Sequence, residues 1–213
     1  MNKIYIFSGL GVDKRVFENI DFGNLNIEFI DWIEPLKNEP LSEYSKRISK
    51  KVSAEKPILI GLSFGGIVAT EISKFIETEN VILIASAKNK FELPSLYRFV
   101  GKLNIHKLIP SSLLKSHNFL TNWIFGIKEK EDKILLAKIL KETDAIFLKW
   151  AINEIVNWKN IEKPKRSLHI HGNKDRIIPV RNIQADFIIN NGGHFMTVNK
   201  SKEIEKIIKN AIT

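Results

Sequence analysis

The sequence predicts an α/β domain with a mostly parallel sheet of about six strands and helices on both faces. Three observations lead there. Short apolar runs recur at Lys3 to Phe7, Asn26 to Ile30, Pro57 to Leu62, Asn80 to Ala85, Arg166 to Ile170 and Ala185 to Ile189, with the near-continuous hydrophobicity of strands buried on both sides. Stretches with helical spacing stand between most of them, and such alternation implies parallel pairing through right-handed crossovers. Between Lys88 and about Trp158 the alternation stops, leaving helical patterns and no convincing strand, so a helical cap inserted before the last two strands is expected within a single domain spanning 1–213.

In chain order, the first strand ends at Ser8-Gly9-Leu10-Gly11, before a helix from about Asp13 to Asn19. A Gly-x-Gly after a first strand invites a dinucleotide-binding reading, but that fingerprint needs a third glycine where Lys14 stands. After the Asn26 to Ile30 strand come Asp31-Trp32 and a loop with Pro35 and Pro40. The spacing of Leu41, Tyr44, Ile48 and Val52 then predicts a helix. The strand Pro57 to Leu62 passes within two residues into a helix marked by Ile67, Val68, Ile72, Phe75 and Ile76. In the cap, helices are predicted over Glu131 to Lys141 and Thr143 to Val156. Its aromatic side chains, Phe99, Phe119, Trp123, Phe125, Phe147, Trp150 and Trp158, are read either as the lining of an apolar pocket or as packing against the main domain. The chain closes on an amphipathic helix, Ser201 to Ile212, with Ile204, Ile207 and Ile208 inward.

With 213 residues the chain suffices for one well-packed domain. It has no cysteine, which removes disulfides, thiolate metal sites and a thiol nucleophile. The N-terminal apolar run is too short for a signal peptide and no stretch is long enough to span a membrane, so a cytoplasmic protein is expected. The formal charge of +9 comes from dispersed lysines, which speaks for a solvated surface and against nucleic acid. The one place where cations gather is Lys88, Lys90, Arg98, Lys102 and Lys107. Asn199-Lys-Ser fits a glycosylation sequon but carries no meaning without a secretory signal.

The chemistry centres on Gly61-Leu62-Ser63-Phe64-Gly65. A strand that turns at once into a helix forces the intervening side chain out at the carboxyl edge of the sheet, and it leaves no room for a Cβ two residues away on either side. The bland alternative is a glycine-rich turn with a capping serine. A hydroxyl needs a base to become a nucleophile, and the base needs a carboxylate to hold its tautomer. The late strands are followed by loops carrying Asp175 and His194, both opening on the Ser63 edge, and the order Ser63, Asp175, His194 is the one such a fold requires.

With these residues in place the sequence resembles the α/β-hydrolase superfamily over nearly its whole length. Gly61-Leu62-Ser63-Phe64-Gly65-Gly66 is similar to its nucleophile motif, His171-Gly172-Asn173-Lys174-Asp175 with Pro179 to its acid loop, and Gly192-Gly193-His194-Phe195 to its histidine loop. The chain departs from the family pattern in having Ser8-Gly9 for His-Gly, and in starting at the first conserved strand without two leading antiparallel strands. Where some relatives place their acid, Ser86-Ala87-Lys88-Asn89 offers no carboxylate, which leaves the role to Asp175.

The resemblance implies a serine hydrolase with Ser63, Asp175 and His194 as catalytic residues, the N–H groups of Leu10 and Phe64 as oxyanion hole, and no cofactor or metal. The substrate would be a small-molecule ester or thioester. The basic start of the cap adds the expectation of an acidic acyl carrier protein as a partner, making the chain a carrier-linked thioesterase or a methyl-ester esterase. A hydrolase-like binding protein without turnover is the competing class. Asp31 and Glu34, at the same edge after the second strand, are read as surface or capping residues, with contact to a substrate as the alternative; His169 and His171 are read as buried, hydrogen-bonded histidines, and His106 and His117 as too scattered for a metal site.

Overall fold

A computed structural model describes residues 2–212. Six parallel strands form one sheet in the order β2-β1-β3-β4-β5-β6: β1 (Ile4–Phe7), β2 (Ile27–Ile30), β3 (Ile58–Leu62), β4 (Asn80–Ile84), β5 (Ser167–Gly172) and β6 (Phe187–Ile189). Every pairing among the described residues is parallel, and each predicted strand is found. β5 runs two residues further than expected, through His171 and Gly172.

Alternation within the strands assigns the two cores. Ile4, Ile6, Ile58, Ile60, Ile82 and Ile84 face one side, while Tyr5, Phe7, Leu59, Val81 and Leu83 face the other. The first side is covered by α6 (Lys130–Glu142), by α8 (Met196–Asn199) and by α9 (Ser201–Ile212), with Ile204 and Ile208 fully inside and Ile207 at the margin. A single 3-10 turn, Lys14–Phe17, adds Val16 and Phe17 where a longer helix was expected. Asp13 caps it by accepting from Arg15 N–H at 3.0 Å. The second side is covered by α1 (Leu41–Ile48), α2 (Phe64–Ile72) and α7 (Ala145–Val156). Burying each such Ile or Leu contributes about 1.5–3 kcal/mol.

The stretch between β4 and β5 holds five α-helices, a 3-10 turn at Ile105–Leu108 and no strand among the described residues. α6 and α7 are preceded by α3 (Ser95–Lys102), α4 (Ser111–Leu114) and α5 (Phe119–Phe125). Its aromatic residues divide. Phe147 and Trp150 pack with Trp32, Tyr44 and Phe64 into one ring cluster at centroid separations of 4.4–6.4 Å. Trp158 is buried with its indole N–H on Glu71 Oε1 at 2.7 Å. Phe99, Phe119 and Trp123 face solvent instead.

The strand order reverses between β1 and β3, since the chain leaves β1 for β2 on one flank and builds β3 to β6 on the other. At such a switch point the loops after the two strands diverge and leave a crevice at the carboxyl edge. Ser8–Gly11 and Ser63 border it.

Candidate active site

Ser63 sits between β3 and α2 at φ 51°, ψ −118°, a backbone region that a non-glycine residue occupies only under constraint. The constraint comes from its neighbours. A Cβ at Gly61 would lie 2.4 Å from Gly66 Cα, and one at Gly65 would lie 2.3 Å from the carbonyl oxygens of Phe7 and Ser8. Helix α2 can therefore pack directly on the ends of β1 and β3 only because these positions lack side chains. Ser63 N–H donates to Ile84 O at 2.9 Å, and the Ser86 hydroxyl donates to Ser63 O at 2.6 Å, so the turn is tied to β4 on both sides. The position that lacked a carboxylate in the sequence thus holds the serine turn in place.

Asp175 and His194 arrive from the loops after β5 and β6. The Ser63 hydroxyl meets His194 Nε2 at 2.8 Å, and His194 Nδ1–H donates to Asp175 Oδ2 at 2.7 Å. Because the carboxylate takes the Nδ1 proton, Nε2 is left as the acceptor facing the hydroxyl. Asp175 Oδ1 accepts the N–H groups of Ile177 and Ile178, each at 2.9 Å. Burial alone would raise this carboxyl; the electrostatic attraction and hydrogen bond it gains from His194, with the backbone donors, outweigh it and hold it below the usual carboxylate range. The structure thus brings together the three predicted side chains.

The Leu10 and Phe64 backbones line the same crevice, and neither N–H donates to a backbone acceptor among the described residues. Neither Asp31 nor Glu34 lines the crevice over Ser63, and their backbone carbonyls accept from Lys51 and Arg47. His117 pairs with Asn122 at 2.7 Å, and His106 with Asn153 at 2.9 Å. Among the described residues no group of three or more His, Asp or Glu side chains is placed to hold a metal ion.

Two residues that the sequence did not single out, Tyr97 and Arg176, brace the site together with Phe125, which was named there only among the aromatic residues of the cap. Tyr97 O–H donates to Ile177 O at 2.8 Å, linking α3 to the acid loop. Arg176 donates to Trp123 O at 2.7 Å and lies over the Trp123 ring at 4.4 Å, linking α5 to that loop from the other side. Phe125 O accepts from Phe195 N–H at 3.2 Å beside the His194 ring. None of these pairings has a local signal, since the partners lie far apart in the chain.

His171 and His169 lie buried beneath the acid loop. His171 Nε2–H donates to Ile178 O at 2.8 Å, as expected of a hydrogen-bonded core histidine. The expectation needs correction for His169, where neither ring nitrogen makes a sound hydrogen bond among the described residues. Burial, reinforced by His171 and Lys88, pushes its pKa down to about 3. An unfolded histidine titrates near ~6.5, so below that pH the unfolded chain takes up a proton that the folded chain refuses. Stability should therefore fall by roughly 1.4 kcal/mol for each unit from about pH 6.5 towards pH 3. Urea midpoints at neutral and mildly acidic pH should show this slope reduced in His169→Leu; an unchanged slope would assign the acid sensitivity elsewhere.

Above Ser63 lies a cavity of about 360 Å³. Its walls include Val12, Leu93, Val100, Ile152 and Ile155 with Phe64, Tyr97, Phe125 and Phe195, and are mostly aliphatic where an aromatic lining was one expectation. The reason is the division already described: most of the large rings go to the core or to the outer surface.

Sheet order, the serine turn after β3 and the loops after β5 and β6 define the α/β-hydrolase fold. Solved structures of that fold cover nearly the whole chain. An esterase from Exiguobacterium antarcticum is 14% identical with a TM-score of 0.74, the match covering 100% of this chain and 92% of that one. A lipase-esterase related protein from Clostridium acetobutylicum is 15% identical with a TM-score of 0.68, covering 98% and 93%. A hydrolase from Oleispira antarctica is 13% identical with a TM-score of 0.68, covering 100% and 91%. No family model and no curated protein sequence matches the chain.

Proposed function

We propose that this protein is a serine hydrolase that cleaves carboxylic esters or thioesters with apolar acyl groups through an acyl-enzyme. The observation that carries the proposal is the unbroken line from Ser63 to His194 to Asp175, at 2.8 and 2.7 Å, on the floor of an apolar cavity. His194 takes the hydroxyl proton as Ser63 Oγ attacks the carbonyl carbon, then passes it to the leaving alkoxide or thiolate. Asp175 holds the tautomer and stabilises the imidazolium. The Leu10 and Phe64 N–H groups receive the oxyanion. Water, deprotonated by His194, then attacks the acyl-serine, releases the acid and returns the proton to Ser63. The esterase and lipase-related neighbours are in keeping with this reading.

A binding protein needs only the cavity, and the hydrogen-bonded line beneath it argues for turnover. The test is hydrolysis of p-nitrophenyl esters of increasing acyl length by the purified protein. Rates should rise from acetate to hexanoate as the chain fills the aliphatic walls, and folded protein inactive on the whole series would overturn the reading. Ile155→Trp, which fills part of the cavity, should move the optimum back to acetate, mainly through a KM for hexanoate raised by roughly tenfold or more, since each buried CH2 is worth about 0.8 kcal/mol.

The cations behind the expectation of an acidic acyl carrier protein stand among exposed apolar side chains. A partner recognised by charge alone would leave half of that surface unused.

A further inference from the structure

Residues 88–128 contain seven Lys or Arg and one acidic residue, Glu92. Glu92 is buried, its carboxylate accepting Lys88 N–H at 2.6 Å, so it does not offset the cations at the surface. Lys88 and Arg98 donate to backbone carbonyls, and Lys102 and Lys107 stand exposed further along the same segment.

The apolar side chains of this segment are turned the wrong way for an ordinary surface helix. On α3, Leu96, Phe99 and Leu103 follow i, i+3, i+7 spacing, yet all three are exposed. The opposite side is pressed on α7 at Gly101, where a Cβ would lie 2.5 Å from Val156 O. Beyond α3, Leu108 is 82% and Phe119 84% exposed. Leu96 belongs both to this surface and to the wall of the cavity over Ser63, so the apolar face continues into the site.

Large exposed apolar side chains that alternate with lysines, without acids, are costly in water and suited to a layer that is anionic outside and apolar beneath. We propose that the 88–128 face docks on an anionic lipid surface. Leu108, Phe119 and the α3 stripe would enter the acyl boundary while Arg98, Lys102 and Lys107 meet the headgroups. Resting on the ester-hydrolase reading, this makes the substrate a lipid-borne ester whose chain enters the cavity past Leu96 without crossing water. No helix among the described residues is long and apolar enough to cross a membrane, so the contact is with one leaflet.

The test is co-sedimentation with phosphatidylcholine vesicles, with and without phosphatidylglycerol. The wild type should pellet with the anionic vesicles, and less at high salt. Leu108→Ser/Phe119→Ser and Lys102→Glu/Lys107→Glu should each weaken that binding by about tenfold or more, while both hydrolyse a soluble p-nitrophenyl ester as the wild type does. Wild type that stays in the supernatant overturns the proposal, as does undiminished binding of the apolar variant, which would mean adsorption by charge alone. Capture of an acidic carrier protein, or self-association lost in the apolar variant, overturns it equally if vesicles are not bound. Failure of every form of the protein to hydrolyse the soluble ester would instead refute the hydrolase reading and leave the vesicle result standing.

Discussion

Ser63→Ala is expected to lower kcat towards any ester by about 10⁶-fold while leaving the protein folded. The effect is this large because the hydroxyl is the group that forms the covalent bond; an oxyanion hole and a positioned base with no nucleophile retain only slow water attack. The fold should tolerate the change, because both backbone anchors of the turn survive. Ser63 N–H still reaches Ile84 O, and Ser63 O still accepts from the Ser86 hydroxyl. Substrate KM should stay close to the wild-type value, since the cavity walls are untouched. Steady-state kinetics beside a thermal melt check both parts. Residual activity above about 1% of wild type would require another nucleophile.

The second large effect is on stability. Gly65→Ala places a methyl group 2.3 Å from the carbonyl oxygens of both Phe7 and Ser8, and these belong to backbone at the end of a central strand. Neither can move without loosening β1 or tilting α2, so the cost should reach about 3 kcal/mol or more, measured as a shift in urea midpoint. Activity should fall further than stability explains, because the loop that is displaced also presents the Leu10 N–H. Gly23→Ala is the control. Unlike Gly65, that residue has a positive φ, at 56°, but nothing lies within 4 Å of an added Cβ, so only the left-handed backbone penalty of about 1–2 kcal/mol applies.

The sheet was readable from the sequence because strands buried on both sides must be apolar at every position. The runs around Ile4, Ile58 and Ile82 therefore announce themselves. Ser63, Asp175 and His194 were readable for a related reason. Glycines at 61 and 65 are a steric requirement of the turn, and the other two residues sit in the short loops after late strands. Helices α4 and α5, four and seven residues long, are too short to show a helical period. In α3 the spacing of Leu96 and Phe99 is there to be read, but it marks the exposed side, while Gly101 makes the close contact. The braces Tyr97 and Arg176 were equally invisible, because each gains its meaning from a backbone carbonyl that is distant in sequence. His169 looked like an ordinary core histidine, and only its surroundings in three dimensions show that it lacks a sound partner.

Treatment with a fluorophosphonate, followed by peptide mapping by mass spectrometry, tests most directly whether the three side chains form one working relay. The account predicts a single adduct on the peptide that carries Ser63, formed rapidly in the wild type and slowly or not at all in His194→Ala. Folded wild-type protein without an adduct, an adduct on a different residue, or equal labelling rates with and without the imidazole would contradict it.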